Sequence, residues 1–370
     1  MRIFHADTDD LANPLGGGQP VRTYEVNSRL APRHDITVCT ATFPGAQERA
    51  LDRSGVHYRR LGFYLPPLGL SPHLSYLASL GFQLRRTPHD LVVEEFMAPA
   101  GFSMLPLWTD KPVICIVQWF FFEFWEKRYH LPFSRWMRAL ARKKRYLHFI
   151  VQTAAMGAIF SELVPGADIR KIPCGIGKDA FRDADTDGEY ALFLGRLEVQ
   201  QKGLDCLLEA WTTVCAAQGV PLVLAGDGPD REWLEAVVRE RGLSDLVRFA
   251  GRVQGDAKEQ LLRNCRFMVM PSRDETFGLV ALEAMAVSRP VLAFDIPHLN
   301  ELVRPEWGVL VEKEHAVKFG QAACELWAAP EHCLRLGQRA GSAAKQYDWD
   351  RIAEMQEEYY LEVVSQGKVK

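Results

Sequence analysis

The chain has 370 residues, 48% of them apolar and 25% charged, with a formal net charge of −3. Such values fit a globular protein of about two domains and exclude a disordered or collagen-like chain. No stretch reaches the roughly 18–20 apolar residues that span a bilayer, and the acidic start MRIFHADTDD has no signal-peptide core. A cytoplasmic location without a nucleic-acid partner is expected.

The charge is uneven. Residues 1–173 carry 21 Lys+Arg against 15 Asp+Glu, a balance of +6, and the remainder carries 23 against 32, a balance of −9. Two readings stand: the first half faces something anionic, or the surface varies by chance. The eight cysteines form no C-x-x-C pair and mostly sit in apolar runs, which fits reduced core residues rather than a zinc site.

Short apolar runs alternate with amphipathic ones. Strands are expected over 2–5, 35–40, 91–94, 112–117 and 149–152, with a helix over 21–30. This alternation marks a parallel sheet covered on both faces. Ile172-Pro173-Cys174-Gly175-Ile176-Gly177 punctuates the chain as a linker. The pattern then restarts, with strands over 190–194, 221–225, 246–249, 267–270 and 290–294 and a helix over 203–217. A helix over 349–363 closes the chain. The expected fold is α/β: two Rossmann-like, doubly wound domains facing each other across a cleft. The expected divisions are an acceptor-binding domain 1–173, a nucleotide-sugar-binding domain 174–347, and a helix, 348–370, packing back on the first. Ligands in such sheets bind beyond the carboxyl ends of the strands.

The strongest chemical signal is the run Pro271-Ser272-Arg273-Asp274-Glu275-Thr276-Phe277-Gly278-Leu279-Val280-Ala281-Leu282-Glu283. A strand ends in a polar loop and a helix begins near Phe277, so free N–H groups and a positive dipole end offer a phosphate site. Gly278 allows close approach to the backbone. Eight residues of helix span about 12 Å, so Glu275 and Glu283 could accept hydrogen bonds from the two sugar ends of a nucleotide sugar. Gly195-Arg196 and Lys202-Gly203 follow another strand and supply cations for phosphate oxygens.

Together with Ala225-Gly226-Asp227-Gly228-Pro229, Phe249-Ala250-Gly251-Arg252-Val253 and Tyr347-Asp348-Trp349-Asp350, these motifs resemble the family 4 retaining glycosyltransferases of the GT-B fold. The resemblance covers residues 190–355. It implies that Arg196 and Lys202 bind the donor diphosphate, Glu283 the ribose and Glu275 the donor sugar. It also implies that Phe277, Gly278, Leu279 and Val280 complete the donor site through their backbone, with Arg252 beside them. No cofactor and no metal is implied. The partners are a nucleotide sugar, by default a UDP-sugar, and a glycan, lipid-linked or small-molecule acceptor. Pro14-Leu15-Gly16-Gly17-Gly18 resembles the family's glycine-rich loop, which puts Gly17 and Gly18 at the donor phosphates.

One place departs from the family. Gln118, followed by Trp119, stands where a histidine is usual; glutamine can hydrogen-bond a sugar hydroxyl but cannot titrate. Asp7-x-Asp9 looks like a metal-binding pair, yet its place at a strand end suits turn and capping duty. The stretch 119–145 is rich in Phe, Trp, Arg and Lys. It reads either as an acceptor pocket followed by a basic, membrane-facing helix or as a core helix with a solvated basic face. Other classes weighed are a nicotinamide oxidoreductase, which wants a G-x-G-x-x-G turn absent at Gly16–Gly18, a GT-B epimerase of nucleotide sugars, and a silent GT-B binding partner.

Overall fold

In the computed structural model the described residues are 1–13, 18–46, 49–63, 71–97, 103–119, 126, 130, 132, 135, 139, 146–183 and 186–367. They divide into two compact units, Met1–Cys174 with Trp349–Lys370, and Gly175–Asp348.

The first unit holds β1 (Arg2–Ala6), α1 (Gln19–Leu30), β2 (Asp35–Ala41), β3 (Ala50–Arg53), β4 (Val56–Leu61), α2 (Ser71–Arg86), β5 (Leu91–Met97), β6 (Val113–Trp119), β7 (His148–Val151), α3 (Ala154–Leu163) and β8 (Asp168–Lys171). The strands form one sheet in the order β3-β4-β2-β1-β5-β6-β7-β8. It is parallel except for β3, which pairs antiparallel with β4 as a short edge hairpin.

The β-branched runs Leu91–Val93 and Val113–Val117 are 0–5% exposed, as strands buried on both faces must be. Side chains alternate between the two faces. Phe4, Val92, Phe96, Cys115, Val117, Phe149 and Val151 share one core with Tyr76, Leu80 and Leu84 of α2 and with Met156 and Phe160 of α3. Thr153 starts α3 by accepting from the Met156 N–H at 3.2 Å, the N-cap geometry its side chain favours.

The second unit holds β9 (Tyr190–Leu194), α4 (Val199–Lys202), α5 (Leu204–Ala210), β10 (Leu222–Ala225), α6 (Arg231–Glu240), β11 (Val247–Gly251), α7 (Gly255–Asn264), β12 (Cys265–Met270), α8 (Leu279–Ala286), β13 (Val291–Phe294), β14 (Val309–Val311), α9 (Ala316–Ala328) and α10 (Pro330–Ala344). Its six strands are all parallel, in the order β11-β10-β9-β12-β13-β14. The single helix expected over 203–217 is present, with a hydrogen-bond spacing that changes along its length. It runs as α5, a π-turn over Trp211–Cys215 and a 3-10 turn over Ala216–Gln218, with α4 set apart from it by Gly203.

The chain then returns to the first unit as α11 (Trp349–Gly367), which lies against α1. Buried Arg22 donates to Gln356 Oε1 at 2.7 Å, Arg29 meets Asp350 at 2.6 Å, and Arg33 grips Glu357 with two nitrogens at 2.9 and 2.5 Å. Trp349, Ile352, Tyr359, Tyr360 and Val363 bury the inner stripe of α11. All eight cysteines are free and buried. Among the described residues, no helix is long and apolar enough to cross a membrane.

Candidate active site

In the second unit the strand order reverses beside β9, whose neighbours are β10 on one side and β12 on the other. Ligands of open parallel sheets collect beyond the carboxyl ends of strands at such a switch point. The loops there are Gly195–Lys202 after β9 and Pro271–Gly278 after β12, which carry most of the residues singled out by the sequence.

Glycine brings these loops together. A Cβ on Gly203, which has φ 64°, would lie 2.0 Å from the carbonyl oxygen of Pro271. A Cβ on Gly226 would lie 1.8 Å from that of Gly195. Backbone hydrogen bonds fix the same contacts: Gly195 N to Ala225 O, Leu197 N to Asp227 O, and Gly226 N to Gly251 O, at 2.7–3.0 Å. The ends of β9, β10 and β11 thus form one tied rim.

Lys202 and Glu275 meet on this rim. The Lys202 ammonium contacts Glu275 Oε1, and Ser272 Oγ donates to the same oxygen at 2.9 Å. The lysine side chain is 16% exposed and the carboxylate 11%, so each charge needs the other. Arg273 holds the loop in place. It grips Asp205 with two 2.9 Å bonds, meets Glu314 at 2.8 Å, and bonds through its own N–H to Gln201 O. The Asp205 hydrogen bonds raise the guanidinium pKa further still. Sequence reasoning gave Arg273 and Ser272 no role; a charged residue in the middle of the richest loop was the available signal.

The helix in that loop begins two residues later than expected. Gly278 stands before it in the left-handed region, φ 88°, with no side-chain cap, and α8 runs from Leu279. The first N–H groups of its opening turn, on Leu279 and Val280, therefore face outward for an acceptor. Phe277 is buried and packs edge-on against Tyr347 with ring centroids 5.8 Å apart. His298, after β13, is nearly buried and its imidazole pKa is lowered by that burial. Its neighbour Leu299 packs over Gly278.

Glu283 stands apart from Glu275. Its Oε1 accepts from Lys258 Nζ at 2.7 Å, while its Oε2 is buried with no partner among the described residues. An acceptor so placed suits a ligand hydroxyl. Lys258, on α7, has no role in the sequence reading. Arg196 is 69% exposed on its side chain and 4.0 Å from Glu198, and Arg252 is exposed just after β11.

In the first unit, the switch point falls between β1 and β5. Asp7 is fully buried there. It accepts from Thr23 Oγ1 at 2.6 Å, from Gln19 Nε2 at 2.5 Å and from the Asp9 N–H at 2.9 Å. Burial first, then the nearby Glu95 charge, raises its pKa to about 7. Asp9 accepts from the Asp10 N–H and from Asn13, so this pair performs turn and capping work. Among the described residues no group of three or more His, Cys, Asp or Glu could hold a metal ion.

Gln118, at the end of β6, is 9% exposed. Its Nε2 donates to Glu95 Oε2 at 2.7 Å and its Oε1 accepts from Gln152 Nε2 at 2.6 Å. Gly18 forms the N-cap of α1. Gly17, the side chain of Trp119 and the segment 120–145, apart from five isolated positions, lie outside the described residues.

Comparison with known proteins agrees with this geometry. The pattern of the family described as "Glycosyl transferases group 1" matches residues 188–329, and that of "Glycosyltransferase Family 4" matches residues 16–179. A phosphatidyl-myo-inositol mannosyltransferase of Mycobacterium leprae is 30% identical over 211 residues, 55% of this chain and 56% of its own. An alpha-D-kanosaminyltransferase of Streptomyces kanamyceticus is 29% identical over 181 residues, 45% of this chain and 47% of its own. The chain spans about half the length of the curated relatives it matches.

Solved structures align over nearly the whole chain, a likeness of fold. A sucrose-phosphate synthase from Thermosynechococcus elongatus has a TM-score of 0.81 at 21% identity, with 99% of both chains covered. Anabaena HepE, solved in complex with UDP and glucose, has a TM-score of 0.74 at 16% identity, covering 97% of this chain and 99% of its own. The strand order, the residues at the switch point and these matches together assign the chain to the group 1, family 4 glycosyltransferases, with their GT-B fold.

Proposed function

We propose that this protein is a retaining glycosyltransferase that moves a hexose-type sugar from a nucleoside diphosphate, UDP by preference, to a hydroxyl of a glycan, lipid-linked or small-molecule acceptor. The observation that carries the reading is the Lys202–Glu275 pair beside the uncapped start of α8 at the β9/β12 switch point. The uridine preference is supported by HepE, solved with UDP and with UDP-glucose.

In this reading the diphosphate takes the Lys202 ammonium, the Arg196 guanidinium and the first N–H groups of α8. Glu283 accepts from the ribose through the oxygen that Lys258 leaves open, and Glu275, released from Lys202, accepts from hydroxyls of the donor sugar. Arg252 and the backbone of Phe277–Val280 complete the nucleotide side. The bond from the sugar C1 to the phosphate oxygen breaks and an oxocarbenium-like sugar forms. The acceptor oxygen bonds to C1 from the same face, and its proton passes to the departing phosphate. Positioning and fixed charge carry the catalysis, without a metal. The first domain, 1–173, takes the acceptor, with Gln118 and Trp119 toward the reacting sugar and Gly17 and Gly18 at the donor phosphates.

A thermal-shift panel of UDP, GDP, ADP, CDP and NAD⁺, each with and without EDTA, tests the proposal, since a ligand bound to the folded state raises the melting temperature. A shift with one nucleoside diphosphate that survives EDTA is expected. A shift with NAD⁺ alone overturns it. Release of nucleotide from the sugar donor that needs an added acceptor excludes an epimerase.

A further inference from the structure

The first unit buries a row of polar side chains across its sheet. His5 on β1, Glu95 on β5 and Gln118 on β6 project from one face at the carboxyl ends of adjacent strands, and Gln152 follows directly after β7. Their exposures are 1%, 2%, 9% and 3%. Such a row is costly unless every member is satisfied, so its hydrogen-bond directions are informative.

Two chains of donors converge on one carboxylate. From one side, Asn27 Nδ2 lies 2.8 Å from His5 Nδ1, and His5 Nε2 lies 3.1 Å from Glu95 Oε1. From the other side, the Cys174 thiol donates to Gln152 Oε1 at 3.2 Å, Gln152 Nε2 donates to Gln118 Oε1 at 2.6 Å, and Gln118 Nε2 donates to Glu95 Oε2 at 2.7 Å. A carboxamide can be turned end for end with little change of shape, whereas an ionised carboxylate accepts and never donates. Glu95 is thus the group that fixes which end of Gln118 is nitrogen, and through it the orientation of Gln152. Among the described residues these two bonds use one N–H and one lone pair of the Gln118 amide, which leaves the second of each for a ligand hydroxyl.

We infer that Glu95 is a positioning residue of the transfer reaction: it holds the Gln118 carboxamide in the one orientation that presents a fixed donor and acceptor to the reacting sugar or its acceptor. The inference rests on the glycosyltransferase reading above. Glu94, the next residue, points to the opposite face, where Tyr146 at 2.8 Å and the Ser103 N–H at 2.5 Å satisfy it. It supplies a matched control for a buried carboxylate of structural use alone.

The test compares wild type, Glu95→Gln, Gln118→Ala, the double variant, Glu95→Asp and Glu94→Gln. Calorimetry gives the Kd for UDP, and nucleotide release gives kcat with UDP-glucose, UDP-galactose, UDP-N-acetylglucosamine and GDP-mannose. Glu95→Gln keeps the shape but frees the Gln118 amide to turn, so kcat falls about tenfold while the UDP Kd stays within about twofold. In the Gln118→Ala background the same change alters kcat by less than about twofold. Glu95→Asp, still acceptor-only, recovers part of the loss and stands in should Glu95→Gln fail to fold. Glu94→Gln lowers the melting temperature without this kinetic split. An equal kcat loss from Glu95→Gln with and without Gln118, or none at all, overturns the inference and leaves the transferase reading standing. A wild type that neither binds UDP nor releases nucleotide from any of the four donors overturns both.

Discussion

The carbonyl oxygen of Pro271 occupies the place where a side chain on residue 203 would begin, 2.0 Å from the position of a Cβ. This contact draws the loop after β9 onto the loop after β12. Gly203→Ala must part the two loops and also hold alanine at φ 64°, a strain of about 1–2 kcal/mol before any clash is counted. The variant is expected to melt several degrees lower, to lose the Lys202–Glu275 contact and to bind UDP at least about tenfold more weakly. Calorimetry on the folded variant checks this; unchanged UDP affinity would show that the register of the two loops is irrelevant to the site.

Lys202 has two duties, and they can be separated. Lys202→Met leaves the Glu275 carboxylate, 11% exposed, without its ammonium and with the Ser272 hydroxyl still donating to it, so stability should fall by about 1–3 kcal/mol. Turnover should fall about 100-fold or more, because charge on the leaving diphosphate loses its ammonium. Adding Glu275→Gln should recover the melting temperature and not the rate. Recovery of both in the double variant contradicts a phosphate role for Lys202.

Glu283 presents one oxygen to Lys258 and keeps the other buried without a partner. Removal of an acceptor for sugar hydroxyls should cost about 1–2 kcal/mol of binding, roughly a fivefold to thirtyfold rise in the UDP Kd. The 2′,3′-dideoxy analogue of UDP should bind Glu283→Ala and wild type alike. A Glu283→Ala enzyme that still prefers UDP over the dideoxy form by the wild-type factor excludes the ribose assignment.

Asp7 gives the fold a pH dependence. Its pKa rises from 3.8 unfolded to about 7 in the fold, so the folded state holds the proton more tightly. The stability this brings is complete below about pH 4 and is lost as pH rises through about 7. Asp7→Asn, which needs no proton, should therefore raise the melting temperature at pH 8 and have a smaller effect, or the opposite one, at pH 5. Melting curves of both proteins from pH 5 to 8 decide the sign. A difference that does not change with pH would place the Asp7 titration elsewhere.

Much of the fold was legible because parallel strands buried on both faces need continuous apolar runs, and 113–117 and 190–194 have them. The hairpin β3–β4 escaped because its edge strand, Ala50–Arg53, is four residues long, mostly exposed and without an apolar run. The helix expected over 203–217 was legible because no proline or glycine interrupts 204–217; the π-turn within it keeps right-handed helical backbone angles and leaves no mark in the sequence. The donor motifs lie within loops short enough to read, so the carboxylates and cations of the second unit were visible one by one. That Lys202 grips Glu275, 73 residues away, was not, since the strand order decides it. The polar row was hidden for the same reason. His5, Glu95, Gln118 and Gln152 are polar residues in or beside four apolar runs, and sheet topology alone puts them side by side. Gln118 was expected to face a sugar; half of its hydrogen-bonding capacity is spent on Glu95 and Gln152.

The last helix has a consequence for how the protein is made. Residues Trp349–Gly367 belong to the unit whose other residues end at Cys174. The buried guanidinium of Arg22 finds Gln356 across 334 positions of sequence. At about 5–20 residues per second on a ribosome, the amino-terminal unit waits on the order of ten seconds or more for its own closing piece. The unit Gly175–Asp348 is contiguous, so it can finish first although it is translated second. Five buried side chains of α11, at about 1.5–3 kcal/mol each, compare with the whole net stability of a typical domain. A nascent chain that stops before Trp349 therefore carries a finished second unit beside a first that has not yet closed.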